Sequence, residues 1–153
     1  MSIDRSFVEL NRAATERMRR LVARLSDAEL EHRVGENWTV SIALAHLAFW
    51  DRRVLLALDR TAREGRLFTP DIDLIVNDIA LPLFAAIPPR KAAQLAVDTA
   101  DALDKRLETL PEPLLERLFQ YNRRWVIRAL HRNAHLDDVD AALAAAAQPG
   151  TMQ

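Results

Sequence analysis

Four histidines are the residues of this chain best suited to chemistry: His32, His46, His131 and His135. His131 and His135 are four positions apart in a stretch patterned as a helix, which puts both imidazoles on one face, one turn apart. Two rings so placed can converge on one metal ion, and a third ligand from a neighbouring helix completes a facial set. His46 is the natural third, because it lies in the most apolar segment of the chain, flanked by Ala45, Leu47, Phe49 and Trp50. The spacing alone is a weak motif, and a lone histidine in an apolar helix is more often a hydrogen-bonded core residue. Three together say more, since each uncompensated imidazole in a hydrophobic interior costs desolvation free energy that a shared ion offsets. Arg132, Asn133 and Ala134 stand between the pair, so the general-base glutamate of the HExxH metalloproteases is missing. His32 falls in a polar turn and reads as solvated. Cysteine is absent, which excludes a disulfide framework, thiolate-held zinc, iron–sulfur clusters and a thiol nucleophile supplied by the protein.

The elements that must carry these residues are helical. Among 153 residues there are 25 Ala and 23 Leu against 3 Gly, a mixture that favours long helices over sheet. A first apolar stripe runs from Ser2, as cap, to Leu25, and Ser26-Asp27-Ala28-Glu29 has the pattern of a short capped turn. Gly35-Glu36-Asn37 punctuates the chain before a second long helix that starts near Thr39 and stops at Gly65. Asp71-Ile72-Asp73 caps a shorter helix reaching Ala86, which Pro82 should kink or end. A third long helix starts at Pro88-Pro89 and runs to Leu110, and a turn of helix covers Leu114 to Phe119. The last helix runs from Tyr121 through Trp125, Ile127 and Leu130 to Ala147. No period-two stretch argues for a sheet. The reading is one domain over residues 1–147 with a frayed tail at 148–153, built as a four-helix bundle. The long, partly helical connection between the second and third long helices predicts a crossover.

Charge sets further bounds. Twenty-one Lys and Arg balance 22 Asp and Glu, so no basic field draws nucleic acid, and charges interrupt every apolar run before it could span a membrane. The N-terminus has no apolar segment typical of a secretory signal, so a cytoplasmic location is expected.

Trp38-Thr39-Val40, then His46-Leu47-Ala48-Phe49-Trp50-Asp51, then Asn77, then His131-x3-His135, in that order and separation, resemble the DinB-like, or YfiT-like, metalloenzymes. The resemblance spans essentially the whole chain. It implies an all-α four-helix bundle holding one divalent ion, zinc or nickel, through His46, His131 and His135. Related members include mycothiol-dependent maleylpyruvate isomerase and bacillithiol transferases. The resemblance therefore implies a transferase or isomerase that works on a small molecule with a low-molecular-weight thiol, and a homodimer. One departure is visible: Ile42 stands where relatives often carry a glutamate that closes a capping box with Thr39.

Three neutral imidazoles leave at least one coordination position open, where water or a thiol can lose its proton near neutral pH. With no cysteine in the chain, such a thiol must arrive with a cofactor. A metal-hydroxide hydrolase is the competing chemistry on the same site. A non-catalytic metal-binding bundle acting through a protein partner is the reading from outside enzymology. Asp51 and Asp138 can orient ligand imidazoles, or be solvated charges. Trp50, Tyr121 and Trp125 can wall a pocket, or be core. Arg124 and Arg128 can hold a carboxylate of substrate or thiol, or lie on the surface. The first and third long helices are expected to supply the dimer interface.

Overall fold

The computed structural model describes residues 3–148, so Ser2 and the tail from residue 149 lie outside the described residues. Its helices are α1 (Ser6–Arg24), α2 (Asp27–Leu30), α3 (Val40–Glu64), α4 (Val76–Ala85), α5 (Pro89–Thr109), α6 (Glu112–Tyr121) and α7 (Ala129–Ala147). A pair of two-residue strands, β1 (Arg33–Val34) and β2 (Trp38–Thr39), and a single 3-10 turn, Arg123–Trp125, complete the described elements.

Local chemistry explains most of the boundaries. Asp4 Oδ1 accepts the Ser6 N–H at 2.9 Å, so α1 starts later than the expected cap at Ser2. Ser26 and Glu29 form a full capping box on α2. Gly35, at φ 71°, turns the chain so that β1 and β2 pair antiparallel, Arg33 with Thr39 and Val34 with Trp38. This small hairpin was not expected from sequence, and it fixes Trp38 immediately ahead of α3. The Thr39 hydroxyl accepts the Ile42 N–H at 3.2 Å, half of the capping box that Ile42 leaves incomplete. Gly65, left-handed at φ 72°, ends α3 where the sequence predicts.

Two expected helices differ. α4 begins at Val76, later than the Asp71 cap, and continues past Pro82 to Ala85, so that proline does not break it. The last helix is not continuous from Tyr121. Asn122 is extended, its side chain accepts the Arg124 N–H at 2.9 Å, and the resulting 3-10 turn separates α6 from α7. Trp125 and Ile127 therefore precede the last helix.

The long helices α1, α3, α5 and α7 form the bundle. Val40 to Ala48 of α3 share one apolar cluster with Ala93 to Ala100 of α5, and Val54 to Leu58 share a second with Leu103 to Leu110. These two neighbours therefore run parallel. α1 runs the other way, with Met18 to Leu25 in the first cluster and Phe7 in the second. α7 runs alongside α1: Asn11 accepts the Ala129 N–H, and Arg17 reaches Asn133, Asp137 and Asp140. Parallel neighbours need a connection that travels the length of the bundle. Residues 65–88, with α4, make that crossover.

Large exposed apolar side chains concentrate on this crossover: Leu74, Ile75, Ile79 and Leu83, whereas α1 and α5 leave Leu10 and Leu95. No helix among the described residues is long and apolar enough to cross a membrane.

Candidate metal centre

Between the two apolar clusters lies a layer of buried polar side chains drawn from every long helix. Asn11 and Thr15 come from α1, Asp51 from α3, Asp104 from α5 and Arg132 from α7, with Arg128 just before α7. Arg132 donates from Nε to Asp51 Oδ2 and from Nη1 to Asp104 Oδ1, both at 2.8 Å. Arg128 Nε donates to the other oxygen of Asp51 at 2.9 Å, and Thr15 Oγ1 donates to Asp104 Oδ2 at 2.5 Å. Two cations and two carboxylates thus neutralise one another. Burial pushes the Asp104 carboxyl above its ordinary value, with Arg132 and Thr15 opposing it. Burial would lower Arg132, but Asp51 and Asp104 outweigh it and hold the guanidinium above its usual range.

This layer reaches one of the neighbouring histidines, His131. Asp51, on α3, contacts no imidazole directly; it grips Arg128, whose Nη2 lies 3.3 Å from His131 Nδ1. Arg128 Nη1 donates to the Arg124 carbonyl at 2.9 Å, so all sides of this guanidinium are engaged within the protein. A guanidinium has only donors, so the contact with His131 requires a lone pair on Nδ1 and hence an uncharged ring.

His46, His131 and His135 come together, with one ligand atom from each all within 4.8 Å of one another. The ring centroids are 5.3 Å apart for His46 and His131, 4.6 Å for His46 and His135, and 4.8 Å for His131 and His135. Trp38 closes one side, stacked on His135 at 5.5 Å and tilted against His46 at 4.7 Å. All three imidazoles resist protonation. Burial, helped by His135, pushes His46 down to about 4. Burial and then the Arg128 charge push His131 down to about 2. Burial lowers His135 too, partly opposed by Asp138. Neutral imidazoles are the form that binds metal.

The donor set fits a divalent ion on one further observation. His46 Nδ1 is buried and has no hydrogen-bond partner among the described residues, an arrangement that costs free energy unless a ligand supplies the missing interaction. His32, in contrast, lies outside the cluster, and its carbonyl accepts the Val40 N–H at 2.9 Å.

The three histidines open onto a cavity of about 380 Å³ walled by Trp38, Trp50 and Trp125, with Arg53, Asn77 and Arg124 among its other lining residues. Asn77 of α4 accepts the Trp50 indole N–H at 2.9 Å, which ties the crossover to this wall. Of the residues expected from sequence, Trp50, Arg124, Trp125 and Arg128 line the cavity. Tyr121 does not; it ends α6, half-exposed, with its ring edge-on to Trp125 at 6.2 Å. Asp138 lies in a separate groove beside Trp38 and His135 and acts on His135 through space.

Sequence reasoning missed Arg53, Arg132 and Asp104. Arg53 follows His46 by seven positions and Trp50 by three, a spacing that carries all three along one helix face. Asp104 sits between Ala100 and Leu107 on the apolar stripe of α5, the one sign that it turns inward.

Fold and site together define an all-α bundle with an interior three-histidine cluster able to hold a metal ion. The DinB superfamily profile matches residues 10–151, and the chain belongs to that superfamily. No curated protein and no solved structure matches it.

Proposed function

We propose that this protein is a divalent-metal-dependent transferase or isomerase that uses a low-molecular-weight thiol such as mycothiol or bacillithiol, with zinc or nickel held by His46, His131 and His135. One observation carries the reading: three uncharged imidazoles converge at the wall of a cavity of about 380 Å³ while the buried Nδ1 of His46 lacks a partner among the described residues. A divalent ion held there supplies Lewis acidity, which lowers the pKa of a thiol or water that binds it.

The residues of the chain do the rest. Trp38, Trp50 and Trp125 exclude water from the walls. Asp51 and Arg128 hold the His131 ring in orientation. Among the described residues no Asp or Glu lines the cavity, so with the three histidines engaged no carboxylate there is placed to take a proton from water. A thiol, with a free pKa of about 8.5, needs far less help than water to ionise. That contrast favours thiol chemistry over a metal-hydroxide hydrolase, and the absence of cysteine means the thiol is imported.

A cytoplasmic homodimer is part of the same reading. Its apolar contact would come from the crossover more than from α1 or α5, since the exposed side chains of Leu74, Ile75, Ile79 and Leu83 lie there.

Metal analysis of the purified protein tests the centre. The expected result is one zinc or nickel per chain, lost in His131→Ala with the helical circular dichroism unchanged. Absence of stoichiometric metal in the unsubstituted protein overturns it. With metal shown, thiol-dependent turnover of a small electrophile supports the transferase or isomerase. Metal-dependent ester hydrolysis without thiol would install the hydrolase in its place.

A further inference from the structure

The cavity beside the histidines is lined by two arginines, Arg53 and Arg124, whose charges no carboxylate among the described residues pairs. Its lining includes three arginines, Arg53, Arg124 and Arg128, and no Asp or Glu among the described residues. The chain as a whole has a formal net charge of −1, so this imbalance is local and does not reflect a basic protein. The three arginines differ in what they have left to give. Arg128 is committed to Asp51, to the Arg124 carbonyl and to His131. Arg53 has no carboxylate partner among the described residues. Its Nη2 donates to the Pro70 carbonyl at 2.6 Å, its Nε is buried without a partner among the described residues, and its guanidinium lies over Trp125 at 4.5 Å and Trp50 at 5.3 Å. Arg124 is exposed at the rim and likewise has no carboxylate partner among the described residues.

Indole faces and one carbonyl hold Arg53 in place without cancelling its charge. Burial accordingly lowers its pKa, partly opposed by Tyr121 and Asp71. A fixed, partly desolvated cation lacking a counterion is what a site for an anionic ligand requires.

We infer that Arg53, assisted by Arg124, binds a carboxylate of the small-molecule substrate, whose apolar body lies along Trp50 and Trp125 with its reacting end toward the three histidines. The anion site itself stands on the cavity's charges alone; assigning the anion to the substrate rests on the metal-dependent reading above. The substrate class is thus an organic acid, and Arg128 is a positioning residue and not its receptor.

All three tryptophans of the chain line this cavity, so their fluorescence reports its occupancy. The test titrates the full-length, metal-free protein with benzoate and with its neutral isostere benzamide at about pH 7.5, where the imidazoles are uncharged. Benzoate should quench saturably and benzamide should bind at least about tenfold more weakly, the value of one charge-assisted hydrogen bond. Arg53→Gln should weaken benzoate to the level of benzamide, and Arg53→Lys should restore part of the difference. Arg124→Gln, at an exposed position, should weaken benzoate by a smaller factor, which keeps the idea testable if Arg53→Gln does not fold. Equal binding of benzoate and benzamide, or an unchanged benzoate affinity in folded Arg53→Gln, overturns the proposal. His131→Ala separates the two readings: it should lose zinc and keep benzoate.

Discussion

Two polar groups alternate along the start of α7, yet they are opposites. Arg128 and Arg132 face Asp51 and Asp104, and their charges cancel within the protein. His131 and His135 meet His46, which has a buried nitrogen with no partner among the described residues. The first group spends its interactions on holding four helices in register. The second leaves them open to a ligand, which is what separates a structural network from a binding site in the same interior. The arginines at positions 128 and 132 therefore answer charges inside the fold, whereas the histidines at 131 and 135 line the cavity.

Substitutions that break this contrast should differ in size and in sign. Among single substitutions the largest effect belongs to Arg132→Ala, which takes the only guanidinium from buried Asp104 among the described residues and leaves Asp51 with Arg128 alone. Urea denaturation should show a loss of about 3–5 kcal/mol, or no folded protein. A loss under about 1 kcal/mol, the range of an exposed ion pair, would mean that the network does not hold the helices together.

Acid should act next, and through the histidines. Unfolded, each imidazole titrates near 6.5; folded, His46 titrates at about 4 and His131 at about 2. As pH falls below about 6.5 the unfolded chain takes up protons that the folded chain refuses. The metal-free protein should therefore lose up to about 1.4 kcal/mol per pH unit for each such group between about pH 6.5 and 4. His131→Gln should flatten that slope, and a stability independent of pH over this range would show that the rings are not held neutral.

His46→Leu should go in the opposite direction from Arg132→Ala. It removes a buried donor or acceptor that has no partner, so the metal-free protein should gain about 1 kcal/mol in thermal or urea melts while zinc binding disappears. The smallest effect is Thr39→Ala. It removes the cap of α3, costing about 1 kcal/mol or less. Zinc binding should stay intact, because neither group on α7 depends on that cap.

How much of this could be read beforehand depended on the range of the interactions involved. The stripes of α1, α3 and α5, the stop at Gly65 and the start at Pro89 are local and were legible. The convergence of the three histidines followed from the spacing of one pair and the apolar surroundings of the third. The break before α7 was hidden because Trp125, Ile127 and Leu130 continue the apolar pattern across the extended Asn122, the 3-10 turn and the non-helical residues 126–128. Arg132 and Asp104 were hidden for a deeper reason. A charge on a helix reads as solvated until its counterion is known, and theirs come from other helices. Arg53 escaped in the same way: its lack of a counterion is a property of three-dimensional neighbours and leaves no mark in the order of residues.

The crossover of residues 65–88 has a further meaning in evolutionary terms. The metal-ligand candidates sit on α3 and α7, inside the packed bundle. Leu74 and Asn77, in contrast, bring the crossover to the cavity wall, tied there by one hydrogen bond from Trp50 to Asn77 and one from Arg53 to Pro70. Only Ala80 of α4 is buried, so the bundle core depends little on that helix. Selection can therefore rewrite the crossover, and with it the shape offered to a substrate, while the three histidines stay where they are. A bundle wired in this way separates the part of a site that must not drift from the part that is free to diverge.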